Sequence, residues 1–186
     1  NITIVSPASA LETAKATYEI INNHEGPVYF RLERNSYFDE VEEIFFENDF
    51  PFELGKGITL KEGNDITFIG TGRVLGLAIR AAEKLKSKNI NARVINIHTI
   101  KPLDTEIIEK AAKQTNGIIT IEEHNISGGL GEAVSSIVSE SDNFVRVKKL
   151  GVQNQFCSVA TAEEIWENQG ITVENIIKTT EKIMGD

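Results

Sequence analysis

The residues best able to do chemistry lie between positions 119 and 134, where ionisable side chains precede a glycine cluster. They are Glu122, Glu123, His124, Gly128, Gly129 and Gly131. An apolar run before the acids and an apolar-periodic segment after the glycines predict a strand, a loop and a helix. Open α/β sheets place ligands and subunit contacts in such loops. The glycines predict close backbone approach or positive φ, and the following helix offers amides to an anion or a neighbour's carbonyl.

The acidic triplet has two possible uses. Glu122 and His124 would project in the same direction from a strand end, as a metal site or an acid–base pair requires. Three adjacent residues rarely complete such a site, however, and no matching His or Cys motif occurs elsewhere. We therefore expect no metal ligand or catalytic group here. A subunit-contact or loop-bracing role is favoured for Glu123, His124 and the three glycines.

Two arginines form the second candidate group. The predicted strand Val28–Leu32 delivers Arg31, Glu33 and Arg34 near its carboxyl end. Guanidinium groups bind phosphate or carboxylate through paired hydrogen bonds, so the pair is suited to an anionic substrate. Ion pairs with Glu33 or with the acidic stretch that follows explain the same spacing equally well.

Weaker signals have structural interpretations. The segment 70–76 resembles a dinucleotide fingerprint, but its third glycine falls one residue late and the next strand ends without the acid that binds ribose. We interpret it as a structural turn. Cys157 has no base-bearing motif around it, and we do not expect a nucleophile. His24 and His98 stand alone and are expected to be structural or surface residues.

Composition excludes several classes of function. The 186 residues are 40% hydrophobic and carry a formal net charge of −9, without a basic face for nucleic acid or an anionic membrane. One cysteine excludes an internal disulfide framework. The sequence contains neither a secretory signal nor an apolar run of the ~20 residues that a membrane helix needs. We expect a cytoplasmic protein, and a chain that opens in mid-strand is expected to be cut from something longer.

The elements that position these groups form two α/β pieces. A strand at Ile2–Val5, a helix to about Asn23 and the strand Val28–Leu32 make a first unit within residues 1–35. Residues 65–186 alternate strands and helices, which predicts a mainly parallel sheet covered by helices on both faces. Its predicted strands are Ile66–Ile69, Ala92–Ile97, Gly117–Ile121 and Phe144–Val147. Residues 36–64 are rich in acids and Phe and are expected to be an irregular linker that packs its aromatic rings onto both domains.

Five ordered stretches over nearly the whole chain resemble the carboxyl-terminal part of transketolases. The sequence Ser6-Pro7-Ala8-Ser9 to Glu12 resembles a helix start of that family. Pro27 to Arg34 resembles the last strand of its pyrimidine-binding domain, and Gly63 to Gly72 resembles the opening strand of its third domain. Thr99 to Asp104 and Glu122 to Gly131 are similar to the two most specific motifs of that domain.

This resemblance implies a thiamine-diphosphate enzyme, with Mg²⁺ or Ca²⁺, that moves a two-carbon ketol unit between sugar phosphates. Arg34 falls where the family places an arginine on the substrate phosphate. The family's catalytic, cofactor and metal residues lie upstream of this sequence. The resemblance therefore implies a partial pyrimidine-binding domain and a complete carboxyl-terminal domain, inactive alone, that joins a homodimer and an amino-terminal transketolase portion.

The sequence departs from the family in two places. Asn154 stands where relatives usually have Asp, and Arg34-Asn35-Ser36 replaces the usual Arg-Gln-Asn. Both leave the sugar undetermined. Deoxyxylulose-phosphate synthases share the architecture and a similar glycine loop, but they tend to have Tyr-Pro-Arg-Gly where this chain has Arg31 to Arg34. The beta subunits of 2-oxo-acid dehydrogenases are more distant.

Overall fold

A computed structural model describes residues 1–157 and 159–185. The strands are β1 (Thr3–Val5), β2 (Val28–Phe30), β3 (Ile58–Lys61), β4 (Ile66–Gly70), β5 (Ala92–Asn96), β6 (Thr99–Lys101), β7 (Gly117–Asn125) and β8 (Arg146–Val152). The helices are α1 (Ala10–Asn23), α2 (Asp39–Glu47), α3 (Leu75–Lys86), α4 (Thr105–Gln114), α5 (Leu130–Glu140), α6 (Ala162–Gln169) and α7 (Val173–Gly185).

The larger sheet confirms the predicted fold class. Its order is β3-β5-β4-β7-β8, and every pair is parallel except the edge pair of β3 with β5. The helices α3 and α7 pack on one face, in the core cluster that contains Phe68 and Ile119. The helices α4 and α5 pack on the other face, around Ile69 and Ile118. The alternating residues of β4 and β7 are thus buried on both sides, as in a covered parallel sheet.

The first unit is the predicted β-α-β arrangement. The strands β1 and β2 pair in parallel, and Ser9 caps α1 by accepting a hydrogen bond from the Glu12 amide. The small sheet also contains β6, which pairs antiparallel with β1. The sequence pattern predicted no strand at residues 99–101. Three residues carry too little pattern to predict a strand that exists only because β1 lies beside it.

The segment 36–64 is more regular than expected. The expectation of an irregular stretch is wrong for α2 and β3, and β3 belongs to the larger sheet. The helix α2 begins after Phe38 without a side-chain cap, so it lacks the signal that marks the start of most helices. The expected packing of aromatic rings is observed, because Phe45 is buried and the Phe52 ring stacks on His98 with ring centroids 4.2 Å apart.

The predicted strand limits differ from the observed ones by one or two residues elsewhere, but two strands extend at least four residues beyond their predicted ends. Strand β7 continues to Asn125, so the acidic triplet lies within the strand rather than after it. Strand β8 begins at Arg146, and Phe144, expected to start it, lies outside and is 86% exposed. Asp104 caps α4, and Thr161 caps α6 with a complete capping box.

Candidate functional site

The two units meet at the carboxyl edges of their sheets. The Ser6 amide donates to the His98 carbonyl oxygen over 2.8 Å, and the Thr71 hydroxyl donates to the Ser6 carbonyl oxygen over 3.3 Å. Between the units lies a cavity of about 370 Å³, here called the junction cavity. Its lining includes Ser6, Tyr29, Arg31, Thr71, Glu123 and Gly128. The strand end with Arg31 and the glycine loop, both singled out from the sequence, are therefore brought together at one edge.

Arg31 is held by acids on both units. Its Nη1 donates to Glu33, two residues along the chain, and its Nη2 donates to Glu123 Oε2 on β7 over 3.2 Å. Both carboxylates are mostly buried, with 12% and 11% of their side chains exposed. The ion-pair alternative therefore describes Arg31, and its second partner lies 92 residues away, beyond the reach of a spacing argument.

The two acids that bind Arg31, Glu33 and Glu123, lie close to each other. Burial, together with the neighbouring Glu33 carboxylate, raises the pKa of Glu123 to about 7, while Arg31 opposes both effects. One cation thus lies between two carboxylates that repel each other.

Glu122 braces the glycine loop. Its carboxylate is buried and accepts hydrogen bonds from the Leu130 and Gly131 amides, each over 2.8 Å, at the start of α5. Burial raises the pKa of Glu122, and these two amides oppose the shift. From the sequence, these amides were expected to be available to an anion or to a neighbour's carbonyl. In the structure they bind an anion from the chain itself, at the positive end of the helix dipole.

The three glycines have different reasons to be glycine. Gly128 has a φ of +77°, which favours glycine. A Cβ on Gly129 would lie 2.1 Å from Glu122 Oε2, and one on Gly131 would lie 2.5 Å from Thr120 Oγ1. Both expectations, positive φ and close approach, are met at separate positions of the same loop. His124 is exposed at its rim, where its Nδ1 lies 2.9 Å from the Asn125 carbonyl oxygen.

Arg34 lies apart from Arg31, in a second cavity. This Arg34 cavity has a volume of about 520 Å³. Its lining includes Arg34, Asn35, Ser36, Arg73, Thr161 and Glu163. Arg34 is exposed, and among the described residues no hydrogen-bond or ion-pair partner is recorded for it. The structure thus separates the two arginines, one paired within the protein and one available to a ligand.

Sequence reasoning missed Arg73, which lies in the glycine segment interpreted as a structural turn. That interpretation agrees with the structure, since Gly72–Val74 form a single 3₁₀ turn and Gly72 has a φ of +63°. Arg73 follows Gly72 and reaches the Arg34 cavity from the second unit. The only sequence signal for Arg73 was a positive charge next to a glycine turn. Its distance along the sequence from Arg34 gives no indication that the two side chains lie near each other.

Two kinds of cofactor contact can be checked among the described residues: a metal-binding cluster, and the amides at the start of α5. No group of three His, Cys, Asp or Glu side chains lies close enough to hold a metal ion within residues 1–157 and 159–185. The Leu130 and Gly131 amides, which are suited to a phosphate, already bind Glu122. None of the helices in the same ranges combines the length and hydropathy of a membrane-spanning segment.

Comparison with known proteins gives consistent matches. The family model described as transketolase, C-terminal domain, matches residues 55–176. One of the subunits of the apulose-4-phosphate transketolase of Phocaeicola vulgatus is 39% identical over 176 residues, which are 95% of this chain and 54% of that protein. The 1-deoxy-D-xylulose-5-phosphate synthase of Desulfotalea psychrophila is 36% identical over 178 residues, which are 95% of this chain and 27% of that protein.

A solved structure matches over the whole chain. It is described as a split gene transketolase, inactive beta4 tetramer, and superposes with a TM-score of 0.89 at 34% identity. The match covers 100% of this chain and 58% of that one. The chain therefore spans about half the length of the transketolase subunits it matches, 54% for the Phocaeicola vulgatus protein.

Proposed function

The chain belongs to the transketolase C-terminal domain family, and on that premise we propose that it is the carboxyl-terminal part of a transketolase. The complete enzyme would use thiamine diphosphate to move a two-carbon ketol unit between sugar phosphates. Residues 1–35 would complete its pyrimidine-binding domain, 36–64 would join the domains, and 65–186 would form the carboxyl-terminal domain. The transketolase subunit among the relatives supports this proposal.

The environment of Arg34 is the observation that supports a phosphate-bearing substrate. An exposed guanidinium without a described partner, at the wall of a cavity of about 520 Å³, is suited to a phosphate dianion. A guanidinium stays charged at any physiological pH and binds two phosphate oxygens at once. Arg34 would therefore hold the phosphate end of the sugar and orient its carbonyl end toward the reacting centre. Thiamine diphosphate and its Mg²⁺ or Ca²⁺ would be held by the remainder of the complete enzyme.

Replacing Arg34 by Ala in the complete enzyme tests this role. Because a charge-assisted hydrogen bond contributes roughly 1.5–3 kcal/mol, kcat/KM for a sugar phosphate should fall by about 10- to 100-fold. The value for the same sugar without phosphate should not change. Lys113→Ala, which removes an exposed cation from α4, is the matched control. An unchanged kcat/KM for the sugar phosphate would remove Arg34 from the site.

A role in assembly is the second candidate function. We propose that residues 119–134, with Glu123, His124 and the three glycines of the loop, form a homodimer surface. The exposed His124 and Gly128 at the rim of a loop fixed by Glu122 support it, because a rigid exposed loop loses little entropy on binding. Sedimentation of the chain over a range of concentrations should reveal association, and a strict monomer at high concentration would contradict it.

The relative of the deoxyxylulose-phosphate synthase class supports an alternative chemistry for the same architecture. The Arg-Leu-Glu-Arg sequence of residues 31–34 favours transketolase over that alternative, since those synthases tend to have Tyr-Pro-Arg-Gly there. Incubating the complete enzyme with a ketose phosphate and an aldose acceptor distinguishes the two. Transfer of two carbons with release of a shortened aldose phosphate is the transketolase outcome.

A further inference from the structure

Arg73 connects the two units at the Arg34 cavity. It lies in the 3₁₀ turn Gly72–Val74 after β4, whereas Arg34 follows β2 of the first unit. The Arg73 Nε donates to the Ser36 carbonyl oxygen over 2.8 Å. For the described residues, this is the only recorded hydrogen bond to the main chain of residues 32–37. The backbone that carries Arg34 is thus anchored chiefly by one side chain from the other unit.

The Arg73 guanidinium is itself held firmly. Its Nη2 donates to Glu163 Oε1 over 2.6 Å, and only 12% of the side chain is exposed. Its Cζ lies 5.2 Å from the ring centroid of Phe38 and 4.7 Å from that of Trp166. A planar cation held by two rings and a carboxylate has little rotamer freedom. Its Nε therefore presents a fixed donor to Ser36.

The Phe38 ring completes the anchor on the far side of Ser36. It packs over Gly76 of α3 so closely that a Cβ there would lie 2.3 Å from Phe38 Cγ. Stability alone does not explain this arrangement, because Arg73 Nη1 is buried and has no hydrogen-bond partner among the described residues. A buried unpaired donor opposes stability, and a position that retains one calls for another explanation.

We infer that Arg73 is a positioning residue for the substrate phosphate: by fixing the Ser36 carbonyl it places the Arg34 guanidinium at the cavity. The inference rests on the proposed function of Arg34. It assigns to the carboxyl-terminal unit a part in substrate recognition, exerted through the main chain of the first unit. Arg73 itself keeps its charge paired with Glu163 and does not have to touch the sugar.

The test compares Arg73→Gln with Arg34→Ala and with the double variant in the complete enzyme. We expect Arg73→Gln to lower kcat/KM for a sugar phosphate about tenfold and to leave the value for the phosphate-free sugar unchanged. Because Arg73 acts through Arg34, the double variant should be no worse than Arg34→Ala alone. Arg73→Lys keeps the positive charge but lacks the planar fork, so it should not restore the wild-type value.

Arg80→Gln is the matched control. Arg80 lies over the same Phe38 ring, 4.4 Å from its centroid, and pairs with Glu40, but no hydrogen bond to Ser36 is recorded for it. Its loss should leave the preference for phosphate intact. If Arg73→Gln fails to fold, Arg73→Lys supplies the same comparison.

The outcomes separate the inference from the proposed function. Loss of phosphate preference in Arg34→Ala but not in Arg73→Gln or Arg73→Lys overturns the positioning role only. Additive losses in the double variant also overturn it, because Arg73 would then act independently of Arg34. An unchanged preference in Arg34→Ala overturns the proposed function itself.

Discussion

Glu12 is a buried acid at the junction of the two units. Its carboxylate accepts hydrogen bonds from the Ala8 amide and from Asn96 Nδ2, each over 2.7 Å, and Asn96 belongs to β5 of the other unit. Burial raises the pKa of Glu12 to about 7, against the opposing effects of Ala8, Asn96 and Lys15. The folded protein therefore binds this proton more tightly than the unfolded chain does.

The pH dependence of stability follows from that difference. The contribution of Glu12 is fully present below its ordinary pKa of 4.5 and is lost as the pH rises to about 7. The Glu12→Gln variant does not titrate there. Wild type should therefore lose on the order of 3 kcal/mol of unfolding free energy relative to the variant between pH 4 and 8. Chemical denaturation of the complete protein at both pH values measures this difference.

Glu42 provides the control for this prediction. Its Oε1 accepts a hydrogen bond from the Ala10 amide at the same helix start, but it does so near solvent. Glu42→Gln therefore removes a carboxylate from the same helix start and is the matched variant for comparison with Glu12→Gln. A Glu12→Gln variant with the wild-type pH dependence would show that Glu12 titrates normally in the folded state.

At the residue scale, side chains whose partners lie a few residues away can be recognised from the sequence. Ser9 caps α1 from three residues away, and Asp104 caps α4 in the same way. The sequence did not distinguish Arg31 from Arg34, because the carboxylate of Glu123 that pairs with Arg31 comes from a distant strand. The same limit hid Arg73, whose contact with Ser36 depends on how the two units pack.

The loop before α5 shows how one element depends on glycine. Gly128 has a φ of +77° and open space for an added Cβ, whereas Gly129 has a φ of −98° and no room for a Cβ beside Glu122. A side chain at Gly128 meets only backbone strain of about 1–2 kcal/mol. A side chain at Gly129 displaces the carboxylate that binds the first amides of α5, and therefore detaches the helix start.

The two substitutions should differ accordingly. Gly129→Ala should lower the melting temperature of the complete protein more than Gly128→Ala, and it should speed hydrogen exchange at the Leu130 and Gly131 amides. Gly185→Ala, with nothing within 4 Å of the added Cβ, is the neutral control. Equal effects at Gly128 and Gly129 would contradict the bracing role of Glu122.

At the element scale, hydrophobic periodicity predicted the packing of the long helices but did not predict that the short elements form. The apolar faces of α3, α4, α5 and α7 are packed as predicted on the two faces of the sheet. The helix α2 lacks a capping side chain, and β3 and β6 have only four and three residues. Contacts with neighbouring elements fix all three. Phe38, just before α2, packs against Gly76 of α3, and the strands β3 and β6 pair with β5 and β1.

At the scale of the whole molecule, two sheets share one carboxyl edge, and both cavities lie where the units meet. The order of the larger sheet follows from alternating strands and helices, but the joint between the units depends on contacts such as Ser6 with His98 and Glu12 with Asn96. The contacts between the two units produce no periodic pattern in the sequence, so they could not be predicted from it. The proposed function depends on this joint, because Arg34, the proposed phosphate contact, lines a cavity together with Arg73 of the other unit.

The proposed function requires the cofactor site to lie outside this chain. No metal-binding cluster occurs among the described residues, and the Leu130 and Gly131 amides of the glycine loop already bind Glu122. Calorimetric titration with thiamine diphosphate and Mg²⁺ tests this claim most directly, with the complete enzyme as positive control and circular dichroism to verify that the chain alone is folded. We predict binding to the complete enzyme and no heat of binding to the chain alone. Saturable binding at one site per isolated chain would contradict it.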